Sequence, residues 1–310
     1  MRSLFFILSL FLIISCTGDS QNNPFSEKDS TDISALETGI MNPFVIDSVP
    51  DIKEGVGERG PTFIKNRLKE LIGRSYKIRC EEIGVTYPPK YVLFRAFKYE
   101  KEYEIWVADK RSDTLKHLAT LGICAVDAEP GPKLVQGDGK TPEGFYTCKV
   151  MYGSSNSFMW IKLNNSEIDI YGSVRYGSSF KMCLEYPLAI DRSRTRKFSG
   201  NASPGSAICI HGNCVTAGCI SMRNRDYLPI FLSARFHDSN AYGYPKIHIF
   251  PFRFDKEDAK ERSEAVWSSM SPEELVSFWN EIKPAYDLFE KNHKAIKVSY
   301  SGNKYNFTEY

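Results

Sequence analysis

Short runs of aromatic and β-branched residues between residues 91 and 250 narrow the possible folds more than any other feature of the sequence. The runs lie at residues 91–98, 103–108, 115–126, 144–151, 158–163, 207–211 and 246–250. Runs of this length and composition are typical of β-strands. A single clear helical pattern lies among them at residues 225–236, with Asn224 as a candidate N-cap. This region is therefore expected to form a mainly-β core that carries a helix.

Helical patterns lie on both sides of this core. Pro61 is expected at the first turn of a helix that ends at Gly73. The predicted buried face of that helix consists of Phe63, Ile64, Leu68, Leu71 and Ile72.

The last part of the chain predicts a second helix and a hairpin. Ser271 and Glu274 form a capping box around Pro272, and Pro284 is expected to kink or restart the helix. Its predicted buried stripe is Leu275, Val276, Phe278, Trp279 and Ile282. Two short apolar runs around residues 301–303 predict a terminal hairpin.

Composition excludes several classes of protein. The 310 residues are 42% hydrophobic, which is ordinary for a globular protein and too high for a disordered one. Forty basic and 38 acidic residues leave a net charge of +2, so the basic surface of a nucleic-acid-binding protein is not expected. No nucleic-acid partner is therefore predicted, and the sequence leaves the oligomeric state open.

The amino terminus indicates export. Arg2 precedes an apolar stretch at residues 4–14, which is too short to cross a bilayer, since a spanning helix needs about 20 residues. It fits a signal peptide over residues 1–15. An apolar residue, Ser15 and then Cys16 resemble a bacterial lipobox, which implies cleavage before Cys16 and its lipidation. The alternative is a secreted protein that is cut near Ser15.

The lipobox resemblance predicts where the protein resides. Residues 16–60 are polar and lack periodicity, as expected of a flexible tether. The expected location is the bacterial cell envelope, with a lipid anchor in the membrane and the domain facing the periplasm. Thr17 after the cysteine favours the outer membrane.

The segment at residues 208–222 carries the most chemical information. A short strand brings in His211, and Gly218 and Cys219 follow within eight residues. A thiol nucleophile needs a base to generate thiolate near neutral pH, and an imidazole titrates in that range. Gly218 and the amide of Cys219 can face the oxyanion, while the carbonyl of Gly212 can orient His211.

Two other interpretations fit the same segment. Cys219 can be a buried cysteine and His211 a hydrogen-bonded histidine, neither with a catalytic role. Cys209, His211, Cys214 and Cys219 can also ligate zinc, although the paired CxxC spacing of structural zinc sites is missing. The thiol interpretation predicts neither a metal nor a cofactor.

Several blocks in a fixed order resemble the L,D-transpeptidase catalytic domain (YkuD family), and in particular its YafK-like branch of murein L,D-transpeptidases. They lie at residues 93–109, 131–146, 186–192, 208–222 and 246–254, so the resemblance covers about half of the chain. It implies an α+β fold with a mainly-β catalytic core at residues 90–254. A helical segment at 61–89 and a helical extension at 255–310, ending in a hairpin, flank this core.

The resemblance also assigns chemical roles. By motif position Cys219 is the nucleophile, His211 the general base, Gly212 the residue that orients the imidazole, and Gly218 the glycine before the nucleophile. The family implies an acyl-enzyme formed on peptidoglycan stem peptides. The acyl group then passes to an amine or to water.

Two positions depart from the common family pattern. Ala217 replaces a second histidine, and Ser221 replaces an arginine that meets a substrate carboxylate. The YafK-like branch shares these departures. The candidate substrate-binding residues are therefore Asn213, Ser221, Arg223 and Arg192, with Arg225 as a further source of charge.

The remaining cysteines allow several arrangements. Six residues permit 15 pairings, and the sequence does not choose among them: Cys80, Cys124, Cys148, Cys183, Cys209 and Cys214. In an oxidising envelope one or two disulfides are as reasonable as small buried hydrophobic side chains. A bond between Cys214 and Cys219 would block the nucleophile. His248 can face the site, the surface or the core.

Three functions follow from the sequence. The first is an envelope L,D-transpeptidase, and the second is a thiol amidase or carboxypeptidase of the same fold that hydrolyses a peptidoglycan or protein–peptidoglycan link. The third is a non-catalytic lipoprotein that binds the cell wall. The expected partners are peptidoglycan stem peptides and a membrane.

Overall fold

The computed structural model describes residues 40–44, 61–152, 159–164, 167–172, 180–212, 214, 216–266, 268–301 and 304–310. The predicted signal peptide, Cys16, most of the predicted tether and Asn213 lie outside the described residues. None of the helices in the described part of the chain has both the length and the hydrophobicity needed to span a bilayer.

The described chain contains twelve strands and six helices. The helices are α1 (Pro61–Glu82), α2 (Ala189–Ser199), α3 (Asn224–Phe236), α4 (Ser239–Tyr242), α5 (Ala259–Glu264) and α6 (Pro272–Asn292). The first six strands are β1 (Tyr91–Phe97), β2 (Glu102–Ala108), β3 (Lys116–Ala125), β4 (Gly144–Tyr152), β5 (Met159–Asn164) and β6 (Glu167–Gly172). The others are β7 (Phe180–Leu184), β8 (Cys209–His211), β9 (Ile220–Met222), β10 (Lys246–Phe250), β11 (Ile296–Ser301) and β12 (Lys304–Glu309).

Eight of these strands close into a barrel. Their order is β1-β10-β4-β7-β8-β9-β3-β2, and β5–β6 and β11–β12 form separate hairpins. Two neighbouring pairs, β1 with β10 and β8 with β9, are parallel, and the others are antiparallel. The predicted mainly-β core with helices is confirmed, and its closed, mixed sheet is compatible with an α+β fold.

Each strand separates its side chains onto two faces, because successive residues point in opposite directions. One face packs with α1 and α3 into a first apolar cluster, in which Met182, Ile210 and Ile220 are fully buried. On β1, β2, β10 and β4 the opposite face packs against α6 and the β11–β12 hairpin in a second cluster. On β7, β8 and β9 that opposite face carries polar and sulfur-containing residues instead.

Two predictions about helix ends are wrong, and one helix was not predicted. α1 continues through Gly73 to Glu82, because Gly73 serves close packing against Tyr87, whose hydroxyl would lie 3.3 Å from an added Cβ atom. α3 begins at Asn224, and Arg223 occupies the N-cap position without a side-chain hydrogen bond, so Asn224 is not the cap. The structure also contains α2, which the sequence pattern did not predict.

The C-terminal helix follows most of its prediction. Ser271 and Glu274 form the expected capping box, and the strands of the terminal hairpin pair as expected. Pro284 neither breaks nor restarts α6, which runs without interruption to Asn292. Pro284 is exposed while the next turn stays buried, so packing of the apolar stripe holds the helix together. Val276 is only half-buried at the edge of that stripe.

A buried ion pair connects the strands, a long loop and α6. Lys98 and Glu143 are both 0% exposed, and their charged groups lie 3.0 Å apart. The ammonium of Lys98 also donates to the carbonyls of Gly131 and Thr141. Glu143 accepts from the Gly131 amide at 2.6 Å and from the indole of Trp279 at 2.9 Å. Every charge of this pair is therefore matched inside the protein.

Removal of one partner from this pair should be strongly destabilising. We expect Lys98→Met to lower the free energy of unfolding by about 3–5 kcal/mol, because Glu143 would remain buried without its counter-ion. Urea denaturation at pH 7 measures this loss. The exposed pair Lys283–Asp287 offers a matched control, in which Lys283→Met should cost less than about 1 kcal/mol. Equal losses in the two variants would contradict the role given to the buried pair.

His248 should make the fold sensitive to acid. Burial, followed by the charges of Arg95 and Lys246, lowers the pKa of His248 from 6.5 to about 3. Below pH 6.5 the unfolded chain therefore takes up a proton that the folded chain refuses, and stability falls with pH. Between pH 7 and pH 5 this histidine should account for about 2 kcal/mol of lost stability. His248→Gln should show a correspondingly smaller loss in urea titrations at the two pH values, and an unchanged loss would refute this explanation.

Candidate functional site

Two short parallel strands hold the sequence-predicted catalytic residues. His211 ends β8, and Cys219 immediately precedes β9. In the pairing of these strands Ile210 lies opposite Ile220, and His211 lies opposite Ser221. Because Ile210 and Ile220 point into the first apolar cluster, the side chains of His211 and Ser221 point to the opposite face of the sheet.

The imidazole of His211 is held in one orientation. Its Nδ1 lies 2.6 Å from the Gly212 carbonyl, and since a carbonyl only accepts, Nδ1 carries the proton in the neutral ring. Nε2 is then the basic nitrogen. The Ser221 hydroxyl lies 3.3 Å from both ring nitrogens, so it packs against the ring without aligning with either nitrogen. Gly212 thus has the position expected of an orienting residue.

The environment of His211 favours the neutral ring. Burial is the largest influence and lowers the pKa of His211 below 6.5, and the charge of Lys181 lowers it further. The hydrogen bond to Gly212 opposes this shift. At neutral pH the ring is therefore unprotonated at Nε2 and can accept a proton.

Cys219 has a free, half-buried thiol. Its sulfur accepts from the Cys209 amide at 3.4 Å and lies 3.8 Å from the Ala207 carbonyl. The imidazole of His211 is not among the hydrogen-bond partners of the sulfur in this structure. The other two free cysteines among the described residues, Cys80 and Cys148, are buried, and burial raises the pKa of the Cys80 thiol to about 12.

Gly218 allows the turn that precedes the nucleophile. Its φ of 110° is unfavourable for any side chain, and an added Cβ would lie 2.9 Å from the carbonyl oxygen of Lys140. The Gly218 amide donates to the hydroxyl of Thr216 at 3.2 Å, and that hydroxyl donates to the carbonyl of Cys219 at 2.6 Å. The Gly218 amide is thus engaged within the turn instead of facing an oxyanion. The amide of Cys219 is the remaining sequence-predicted donor.

Two disulfides answer the pairing question that the sequence left open. Cys124 of β3 is bonded to Cys214, which lies in the loop between His211 and Cys219. Cys183 of β7 is bonded to Cys209 of β8, and the two residues are directly opposite in the sheet. Cys214 is therefore not joined to Cys219. Cys209 and Cys214, two of the four candidate zinc ligands, are oxidised in these bonds. The described residues contain no group of acidic, histidine or cysteine side chains arranged for a metal.

A second loop forms one wall beside the nucleophile. Asp138 organises it by accepting from the amides of Leu134, Val135 and Lys140. Burial raises the pKa of Asp138, but the ammonium of Lys133 and the amides of Val135 and Leu134 outweigh this effect and hold the pKa below its ordinary value. The Lys140 carbonyl is the group that approaches Gly218. The sequence block at residues 131–146 is thereby placed next to Cys219.

The candidate substrate-binding residues lie in different environments. Ser221 is 0% exposed, Arg223 is exposed at the N-cap of α3, and Arg192 is exposed on α2. The side chain of Arg225 and the whole of Asn213 lie outside the described part of the chain. Sequence reasoning missed Lys181 and Thr216, which have no motif of their own and are recognised only from the strand pairing and the turn geometry.

Comparisons with known proteins point to one family. No protein-family model matches the sequence. YafK of Escherichia coli strain K12, which is named as a provisional L,D-transpeptidase, is 28% identical over 218 residues. This alignment covers 69% of the chain and 72% of YafK, and the corresponding protein of Escherichia coli O157:H7 gives the same values.

Two solved structures are also similar in part. The helical cell shape determining protein Pgp2 of Campylobacter jejuni, in a mutant form, aligns at 16% identity with a TM-score of 0.32. That alignment covers 72% of this chain and 79% of Pgp2. Bd1075 of Bdellovibrio bacteriovorus aligns at 15% identity with a TM-score of 0.31, over 69% of this chain and 76% of Bd1075.

The similarity to YafK covers more than two thirds of both proteins. This similarity supports a YafK-like L,D-transpeptidase-type domain in this protein.

Proposed function

We propose that this protein is a peptidoglycan L,D-transpeptidase that uses Cys219 as its nucleophile and His211 as its general base. The observation that carries the proposal is the free, half-buried thiol of Cys219, immediately before the strand that pairs with the histidine strand. A reactive thiol needs a nearby base and partial access to solvent, whereas a structural cysteine is buried and inert. Cys80 and Cys148 are buried, as expected of structural cysteines.

The first step requires the thiol of Cys219 to approach Nε2 of His211. The sulfur rests against the backbone at Cys209 and Ala207 in this structure. Hydrogen bonds of catalytic groups often shorten only when substrate binds. Because His211 is neutral at the start, it can take the proton of the thiol and leave an imidazolium beside a thiolate.

The thiolate then attacks the carbonyl carbon of the last peptide bond of a stem peptide. The carbonyl oxygen becomes an oxyanion, which the amide of Cys219 can stabilise. When the tetrahedral intermediate collapses, the C–N bond breaks and the imidazolium gives its proton to the leaving amine. The product is a thioester on Cys219 and a free terminal amino acid.

The second half of the reaction reverses these roles. His211 takes a proton from an incoming amine, the amine attacks the thioester, and the thiolate of Cys219 leaves. If water attacks instead, the same steps hydrolyse the peptide. The identity of the acceptor therefore separates a transpeptidase from a thiol amidase or carboxypeptidase.

We also propose the cellular setting and the division of the chain. A signal peptide at residues 1–15, a lipid on Cys16 and a tether at 16–60 would hold the domain at the envelope membrane, facing peptidoglycan. The helical segment at 61–89 and the extension at 255–310 would support a catalytic domain at 90–254. The mechanism uses only side chains and backbone groups of this chain, without a cofactor.

Product analysis on a defined muropeptide tests the function. Purified protein incubated with a disaccharide-tetrapeptide and a D-amino acid should yield a cross-linked or amino-acid-exchanged product, which mass spectrometry identifies. If only shortened peptide forms, without exchange, the activity is hydrolysis instead of transpeptidation. Absence of both products, with retained binding to sacculi, would instead support a non-catalytic wall-binding protein.

Substitution of the two proposed catalytic residues should abolish turnover. We expect Cys219→Ala and His211→Ala each to lose product formation by about 1000-fold or more, because the nucleophile or its base is missing. The rate of product formation under saturating muropeptide measures this. Cys148→Ala is the matched control, because it removes a buried thiol on β4 and should leave turnover within about twofold. Full activity of Cys219→Ala would refute the assignment.

A further inference from the structure

A lysine occupies the strand next to the catalytic histidine. In the antiparallel pairing of β7 and β8, Lys181 lies directly opposite His211. On the other side of β8, His211 lies opposite Ser221 of β9. Lys181, His211 and Ser221 therefore form a row across three neighbouring strands.

All three side chains of this row lie on the same face of the sheet. Their neighbours along the strands, Met182, Ile210 and Ile220, are fully buried in the first apolar cluster. Since side chains alternate along a strand, the row points to the opposite face. Residues that are directly opposite in an antiparallel pair have Cβ atoms about 5 Å apart, so the side chain of Lys181 starts beside the imidazole.

Lys181 is available to an external anion. It forms no ion pair within the part of the chain that the structure describes, and it is half-buried. Its charge also disfavours protonation of His211, which is a cost for a base that must become an imidazolium. A bound carboxylate between the two groups would remove that cost. The other candidate cations differ, since Lys140 is paired with Glu129 at 2.7 Å and both Arg192 and Arg223 are exposed.

We propose that Lys181 binds the free carboxylate of the terminal residue that the reaction releases, and so selects peptides with an unblocked carboxyl end. This inference rests on the proposed function. In the substrate the order of groups is scissile carbonyl, leaving nitrogen and terminal carboxylate. In the protein the order is thiol on the β9 side, imidazole on β8 and ammonium on β7. The two orders match if the leaving nitrogen faces His211.

A pair of peptides tests the proposal. Turnover of a tetrapeptide with a free carboxyl end is compared with that of the same peptide ending in a carboxamide. Lys181→Gln should lower kcat/KM for the free-acid peptide by about 10- to 100-fold and change it for the amide by less than about twofold. Lys181→Arg should keep the preference for the free acid. A loss that is equal for both peptides, or no loss, would overturn the assignment.

The matched control is Lys149→Gln. Lys149 is exposed on β4, opposite Cys183, and lies one strand farther from His211. If positive charge on this face attracts anions only in a general way, both lysine variants should lose the free-acid preference equally. The proposal predicts that Lys149→Gln retains it.

Binding to the Cys219→Ala variant separates this inference from the proposed function. Calorimetry should show tighter binding of the free-acid peptide than of the amide, and Lys181→Gln in the same background should remove the difference. That result would support the role of Lys181 even if the wild-type protein formed no product. Equal affinities for both peptides in the presence of Lys181 would reject it, whatever the reaction proves to be.

Discussion

The buried pair of Lys98 and Glu143 connects the parts of the molecule that carry the site. A charged pair without exposure is tolerable only when every donor and acceptor is matched. Here the backbone at Gly131 and Thr141 and the indole of Trp279 complete the network. These contacts fix the backbone of the loop that ends at Glu143. The Lys140 carbonyl of this loop lies against Gly218. Helix α6, although distant in sequence, is in this way part of the support of the nucleophile.

Disulfides fix the other side of the site. The loop between His211 and Cys219 is too short and too polar to build a core of its own, and Cys214 ties it to β3. The bond between Cys183 and Cys209 joins the lysine strand to the histidine strand, and the Cys209 amide contacts the Cys219 sulfur. Three strands and the intervening loop are thus held covalently, while the thiol itself stays free. Such restraint suits a site whose groups must remain within a few tenths of an ångström.

Features set by neighbouring residues could be predicted from the sequence, and features set by distant contacts could not. The capping box at Ser271 depends on four consecutive residues, and it was predicted correctly. Gly73 looks like a helix end until the approach of Tyr87 explains it as a packing position. The disulfide partners are 90 and 26 residues apart, so only the closed sheet selects them from 15 pairings. Lys181 is an ordinary lysine until the register places it opposite His211.

The order of strands also gives the proposed site a direction. Beyond β9 the sheet continues into β3, whose Ala125 lies opposite the buried Ser221 of β9. Beyond β8 on the other side it continues into β7, where Lys181 carries the positive charge. A peptide bound with its carboxyl end toward β3 would meet no cation from the row and would leave its carboxylate poorly solvated. A peptide bound toward β7 would pair that carboxylate and place the leaving nitrogen at the imidazole. Sheet topology, through the order of β9, β8 and β7, can therefore decide which end of a wall peptide is cut.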